Sequence, residues 1–508
     1  MIKDANKSGW IVAGLLLSIL MASMDNTIVA TAMGTIVGEL GGLDQFVWVT
    51  SAYMVAEMAG MPIFGKLSDM YGRKRFFLFG IIVFMIGSAL CGTAGSITEL
   101  SIYRAIQGVG AGALVPITFT VLMDAVSPEN RGKLMGLFGA VFGMSSIFGP
   151  LLGAFITDYW SWEWIFYINL PIGIASLFLV AKFYKESLSR TKQKIDWLGA
   201  VTLVGATVCL IFSLELGGKI YAWDSLPIIG LLAGFAVLGI LFLFAEKKAE
   251  EPIISFAMFK VRLFASSTLI ALLSGAAFIG ASVYLPIFIQ GVLGGTATNS
   301  GLMLLPMMLG TVVTATLGGI VMARLSYRTI LVSTLALLVI GLGMLTTISA
   351  ESPRLAITFY MIIVGLGIGA SFSVLTNAAI HDIPATQRGA ATATLNFLRS
   401  FGMMLGITVF GILQNQSMTR KLTASFQAGG ADTMPQNINL NDPYVLMEPA
   451  TRAAIPENVL DRLLGGVSSS ITEVFLWGLI PAVLAILAAC VMGRQKHDPK
   501  AEMEAYGH

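Results

Sequence analysis

Charge is what this sequence has least of. Only 12% of its 508 residues are Asp, Glu, Lys or Arg, against about 25% in soluble domains. A water-soluble enzyme, a disordered regulator and a nucleic-acid binder all need more polar surface than that. The 31 basic and 29 acidic side chains nearly cancel, leaving +2, so no anionic partner is implied and nucleic acid is excluded. Cysteine is scarce too. Cys91, Cys209 and Cys490 are scattered through apolar stretches with no C-x-x-C, which argues against a disulfide framework or a zinc site. The three histidines are His381, His497 and His508, and none belongs to an H-E-x-x-H. No metal and no other cofactor is expected. What remains is apolar: 56% of residues are hydrophobic and the mean hydropathy is +0.81. Backbone groups in lipid must be paired internally, so such a chain reads as an all-α bundle embedded in a bilayer.

A membrane-crossing helix needs about 20 largely apolar residues. Fourteen such runs occur, near 10–33, 46–65, 76–95, 98–123, 134–157, 162–182, 197–217, 225–245, 263–290, 299–323, 329–349, 355–376, 390–416 and 467–492. The first is too long for a signal peptide and carries Asp25, so it reads as a retained span. Lys and Arg fix orientation. With both termini on one side, 23 basic residues fall on that side and six on the other, with Arg104 and Arg399 inside spans. The expected location is the cell membrane, multi-pass, with N- and C-termini cytoplasmic.

Two landmarks recur at one spacing. Gly108 to Ala113 reads G-V-G-A-G-A, and Gly365 to Ala370, 257 residues on, reads G-L-G-I-G-A. Arg131-Gly132 maps at the same spacing onto Arg388-Gly389. An internal duplication aligns spans 4–5 with spans 12–13. It divides the chain into a six-helix bundle over 1–195, an inserted pair of helices over 196–262, and a second six-helix bundle over 263–508. Parallel repeats of this kind are a transporter plan. The segment 417–466 is polar and has no 20-residue apolar run, so it reads as a long outer loop.

The connection after the second span reads Gly65-Lys66-Leu67-Ser68-Asp69-Met70-Tyr71-Gly72-Arg73-Lys74-Arg75. Gly65 lets two helices approach and Gly72 permits a tight reversal. Asp69 can accept bonds from helix-start amides, and the basic residues hold the loop on the inner side. This G-x-L-x-D-x-x-G-R-K-R pattern resembles the signature loop of the major facilitator superfamily. Other segments are similar to its 14-helix drug:proton antiporter branch, of the Gram-positive multidrug-resistance-protein type. They are Met24-Asp25-Asn26-Thr27-Ile28-Val29, Arg104-Ala105-Ile106-Gln107-Gly108-Val109-Gly110, Gly149-Pro150-Leu151-Leu152-Gly153, and Trp162 to Gly173 with its W-x-W-x-F-x-I-N-x-P-x-G pattern. Asp196-Trp197-Leu198-Gly199 opens the seventh span as in that branch. The sequence departs from the branch at Gly34, where a proline is usual, and at Ala154, where a glycine is usual. The resemblance implies a major facilitator fold of 14 transmembrane helices, not an enzyme. It implies conformational roles for Gly65, Asp69, Gly72, Arg73, Arg131, Gly149, Pro150 and Gly153, and a part in proton coupling for Arg104.

Charge inside a span is the functional signal, because each such group costs at least about 2.5–3.5 kcal/mol unless a cavity or a partner receives it. Glu57 lies about 16 Å from the outer end of its span, near the midplane. A carboxyl in low dielectric favours its neutral form, so it can take up a proton on one side and release it on the other. Asp25 can do the same, or can pair with Arg104 and serve structure alone. Arg399 has no acidic residue in its own span, and either bonds backbone carbonyls or meets substrate. Met54 and Met58, with Met21, Met24 and Met61, place flexible thioethers near these acids, which suits either a promiscuous pocket or plain core packing, the latter for most of them. The candidate set is therefore Glu57, Asp25 and Arg104 for proton coupling, and Glu57, Asp25, Met54, Met58 and Arg399 for substrate. The expected function is proton-driven multidrug efflux by alternating access. Its partners are lipophilic small-molecule substrates, often cationic, together with protons and the lipid bilayer. An exporter of an endogenous metabolite, lipid or siderophore is the alternative on the same machinery.

Overall fold

The computed structural model of the chain describes residues 5–41, 47–126, individual positions between 134 and 159, and 160–186, 195–218, 220–294, 297–428 and 457–496. Arg131 lies outside the described residues. The helices are α1 (Ala5–Leu40), α2 (Val47–Tyr71), α3 (Arg73–Cys91), α4 (Ile97–Ala125), a shorter apolar α5 (Phe148–Thr157) and α6 (Trp164–Phe183). Then come α7 (Trp197–Leu216), α8 (Leu226–Lys248), α9 (Arg262–Ile287, ending in a π-turn at Phe288–Val292), α10 (Ala297–Val321) and α11 (Tyr327–Leu345). The last are α12 (Arg354–Ile380), α13 (Arg388–Ala428) and α14 (Glu457–Val491). Among the described residues, twelve helices are long and apolar enough to cross a membrane. Of the fourteen predicted segments, the other two are α2, whose 25 residues include Glu57, Lys66 and Asp69, and α5, which is described only over its short apolar stretch.

Helix starts follow local chemistry. Ser96, Asp196 and Ser326 cap α4, α7 and α11 by accepting the N–H of the residue three positions on, one of the amides a helix start leaves unpaired. Gly72 separates α2 from α3 with φ +112°, a conformation costly for any residue with a Cβ.

The described residues nearest the two ends of the chain lie on one face of the bundle. Trp10 stacks on Phe183 at the end of α6, Lys74 donates to the Tyr184 carbonyl (2.7 Å), and Ser8 reaches the Ala125 carbonyl at the end of α4. Arg262 at the start of α9 donates to the Val491 carbonyl (2.7 Å), and the Tyr327 amide to the Gln495 carbonyl (3.1 Å). Lys66 and Glu251, 2.7 Å apart, join the two groups on that same face, called the terminal face below.

The repeat read from glycines has a packing equivalent. A Cβ on Gly108 or Gly112 of α4 would strike the α2 backbone at Tyr53 and Glu57, and one on Gly110 would strike α3 at Phe84. A Cβ on Gly365 or Gly369 of α12 would strike the α10 backbone at Met307 and Thr311, and one on Gly367 would strike α11 at Leu338. The same three spacings make the same three close approaches in each half, as small residues do where lipid provides no hydrophobic drive to pack.

Hydropathy misplaces two boundaries, one on each side of the long loop. The sequence ends the thirteenth span at 416 and starts the last at 467, whereas α13 runs to Ala428 and α14 begins at Glu457. The added turns are amphipathic: Met418 and Leu422 are buried with Leu463 and Val467 of α14, and Lys421 pairs with Glu473 at 3.0 Å. A helix that buries one stripe against a neighbour persists without being apolar all round. The predicted loop at 417–466 is thus shorter at both ends. Helix α8 packs on α7 and is the least covered, with 11% of its apolar stretch buried.

Candidate transport cavity and its charged residues

The first-half acids and bases form a closed network. Asp25 on α1, Ser88 on α3, Arg104 and Gln107 on α4, and Asn169 on α6 are all fully buried. Arg104 Nη1 pairs with Asp25 Oδ2. Asp25 Oδ1 accepts from Gln107 Nε2 and from Asn169 Nδ2, each at 2.8 Å. Arg104 Nη1 also donates to Gln107 Oε1 (2.7 Å), and Nε to the Val49 carbonyl (3.4 Å). Its guanidinium carbon sits 4.1 Å from the centre of the Tyr53 ring. Ser88 accepts from Gln107 and Asn169 and donates to the Phe166 carbonyl. Of the two roles open to Asp25, the structure realises the pairing with Arg104. A buried pair whose remaining lone pairs are also filled ties its helices together, and removing one partner leaves a stranded charge.

Gln107, Asn169 and Ser88 were not singled out as site residues from sequence. Gln107 lies within the Arg104–Gly110 motif and Asn169 within the Trp162–Gly173 motif, so the sequence carries a signal for both. Ser88 carries none.

Glu57 lies elsewhere. It lines a cavity of about 160 Å³ between the two halves, together with Ala22, Ser23 and Asn26 of α1 and Met61 of α2. The opposite wall is Phe372 of α12 with Asn396, Arg399, Ser400 and Met403 of α13. Among the described residues no basic side chain is within ion-pair distance of Glu57. Asn26 is the link between network and cavity, since its Oδ1 lies 3.5 Å from Arg104 Nη2. Met54 and Met58, the two methionines of the candidate substrate set, do not line this cavity. Met58 packs with Val55, Ile211 and Met404, and Met54 against the main core; Met61, one turn further along α2 than Met58, lines it instead. Asp25 is held in the network and also does not line it. A larger hollow of about 380 Å³ lies by Trp48, Ala52 and Ile102 at the far end of α2 and α4, with no titratable group in its lining. Among the described residues no group of three or more His, Cys, Asp or Glu could hold a metal.

The signature loop closes the terminal face below the cavity. Asp69 Oδ1 accepts from the Gly389 amide (3.0 Å) and Oδ2 from the Ala390 amide (2.8 Å), both in the first turn of α13. Arg73 Nη2 donates to Asp69 at 2.9 Å, and both side chains are almost wholly buried. Gly65 makes the approach possible, because a Cβ there would meet Ala393 and, at 2.9 Å, the Gly389 carbonyl. The Arg73 amide donates to Glu186 beyond α6. Helix-start amides aimed at a carboxylate are a favourable pairing of charge and dipole. Gly149 and Gly153 sit where α5 meets α1: a Cβ on either would collide with the Thr27 or Thr31 hydroxyl. Pro150 follows Gly149 on the same helix.

A buried carboxyl on a cavity between helices of two glycine-matched repeats fits the plan of secondary transporters. The Major Facilitator Superfamily model matches residues 15–407. The chain belongs to that superfamily. It is a multi-pass membrane transporter and not an enzyme. It is 53% identical over 496 residues to Multidrug resistance protein 3 of Bacillus subtilis, covering 97% of each chain. It is 35% identical to Multidrug transporter protein MdtP of the same species, covering 98% of this chain and 95% of that one. Among solved structures, the human organic anion transporter MFSD10 superposes with a TM-score of 0.60 at 15% identity, over 94% of this chain and 99% of that one. At that identity the likeness speaks for the fold alone.

Proposed function

We propose that this protein is a proton-driven multidrug efflux antiporter. It has fourteen membrane-spanning helices, lies in the cell membrane with both termini cytoplasmic, and exports lipophilic, often cationic compounds by alternating access. Bundles 1–195 and 263–508 move against each other, with 196–262 as an inserted pair. The names of the two Bacillus relatives support efflux, and the bias of Lys and Arg supports the orientation. One observation carries the mechanism: Glu57 is a carboxyl with no basic side chain within ion-pair distance among the described residues, on the wall of a cavity that both halves share.

A proton and a drug cation then compete for one negative charge. With the terminal face open, a cationic substrate enters beside Glu57 and displaces its proton. Closure of that face by Asp69 on the α13 amides, together with opening of the other, lets an external proton displace the substrate. Protonated Glu57 presents no charge to the collapsing cavity, so the empty carrier can return. Asp25, already accepting from three donors, holds Arg104 in place, and Arg104 senses the cavity through Asn26. In inverted vesicles, Glu57→Gln is expected to abolish pH-gradient-driven movement of ethidium while leaving the protein folded. Normal proton-coupled ethidium transport by that variant contradicts the assignment.

A further inference from the structure

The two walls of the cavity are chemically opposite. The first half contributes the acid Glu57. The second contributes, one turn apart on α13, Asn396 and Arg399, with Ser400 beside them. Arg399 is 7% exposed. Its Nη1 donates to Asn396 Oδ1 and its Nη2 to the Ser371 carbonyl, both at 3.1 Å. Its guanidinium carbon lies 4.9 Å from the centre of the Phe372 ring. Those bonds use two of a guanidinium's five N–H groups. Among the described residues no carboxylate is within ion-pair distance of it. Asn396 is 5% exposed. Arg399 takes its carbonyl oxygen, which orients the amide, and the remaining Nδ2 is buried with no partner among the described residues.

We propose that this cavity is a two-pole site, and that its preferred cargo is amphoteric: a lipophilic aromatic molecule with a cationic nitrogen for Glu57 and a carboxylate or sulfonate for Arg399 and Asn396. The inference rests on the efflux function proposed above and names its substrate class. A purely cationic ligand satisfies Glu57 but brings a like charge toward Arg399 and leaves the Asn396 donor unmatched. An amphoteric one satisfies both walls at once. Met61, Phe119, Phe372 and Met403 supply the apolar contact between the poles. A volume of about 160 Å³ is below the roughly 300–1,000 Å³ of drug-sized pockets, so the halves part to admit a whole ligand. Because each pole belongs to a different half, an amphoteric ligand bridges the halves it has just entered between.

The test uses two dyes that differ at one group. Rhodamine 110 carries a xanthylium cation and a free carboxylate, and rhodamine 123 is its methyl ester. Fluorescence anisotropy gives the affinity of each for the full chain purified in detergent, for wild type, Arg399→Gln, Asn396→Ala and Glu57→Gln. Wild type is expected to bind the acid at least tenfold more tightly than the ester, about 1.4 kcal/mol. Arg399→Gln is expected to bring the acid-to-ester ratio close to one, Asn396→Ala to lower it part of the way, and Glu57→Gln to weaken both dyes. If Arg399→Gln does not fold, the change in ratio for Asn396→Ala decides alone. A ratio unchanged by both variants, or a wild type that binds only the ester, overturns the two-pole site and leaves efflux standing. Failure of wild type to bind either dye overturns both.

Discussion

Replacing Asp69 with Asn tests whether the clamp at the terminal face sets the balance between the two conformations. Asp69 accepts from Gly389 and Ala390 of α13 at 3.0 and 2.8 Å and from Arg73 at 2.9 Å. An amide of the same shape removes the charge and turns one accepting oxygen into a donor. At least one bond is lost outright. Hydrogen bonds to charged groups contribute about 1.5–3 kcal/mol each, and the bonds that survive lose the carboxylate's charge and weaken. The closed terminal face is therefore destabilised by about 2–3 kcal/mol, which corresponds to a roughly 30- to 150-fold shift of the equilibrium toward opening. A cysteine at Ser400, on the cavity wall, reports that shift when the native cysteines are replaced and an impermeant maleimide is offered from the terminal face. The Asp69→Asn background should raise the alkylation rate by about that factor, up to the limit where the open form predominates. Equal alkylation rates with and without the Asp69→Asn substitution refute the clamp.

Three further outcomes are expected. Asp25→Ala strands a buried Arg104 and is expected to destabilise the first half by about 3–5 kcal/mol, read as a lower melting temperature in detergent; Asp25→Ala with Arg104→Ala should recover part of the loss, and wild-type melting by the single variant contradicts the network. Gly65→Leu pushes into Ala393 and the Gly389 carbonyl, so dye transport in inverted vesicles should be lost while binding from the open face persists; normal transport contradicts tight closure there. Gly153→Leu forces α5 away from Thr31 and the Ile28 carbonyl, and should slow transport without removing the Glu57 site, as a lower turnover with unchanged dye affinity.

Much of this was legible in the sequence, for physical reasons that differ by element. Apolar runs of membrane length read directly because the bilayer imposes one length on every span. Asp69 could be assigned to helix-start amides from its loop chemistry, but nothing local says that the amides belong to α13, some 320 residues away. Glu57 was reached by depth alone, since a midplane acid must have a cavity or a partner. Asp25 and Arg104 both lie inside spans, which leaves pairing and proton exchange both open until the geometry joins them. Met54 and Met58 were placed by proximity along the chain. The helix turns them into packing and puts Met61 on the cavity wall instead, a distinction of about one turn that spacing does not resolve. The extension of α13 escaped because hydropathy does not see an amphipathic stripe around Met418 and Leu422. Asn396 was missed because a single amide in a span looks inert until its carbonyl is found on Arg399 and its other end on a cavity.

The central claim is that one carboxyl exchanges a hydrogen ion for cargo, and the most direct measurement is of that ion. A weakly buffered solution of the purified protein, near neutral pH, is mixed with tetraphenylphosphonium and its pH recorded. Wild type should release protons in step with occupancy, Asp25→Asn should still do so, and Glu57→Gln should release none while remaining folded. Release of wild-type size from Glu57→Gln contradicts the account.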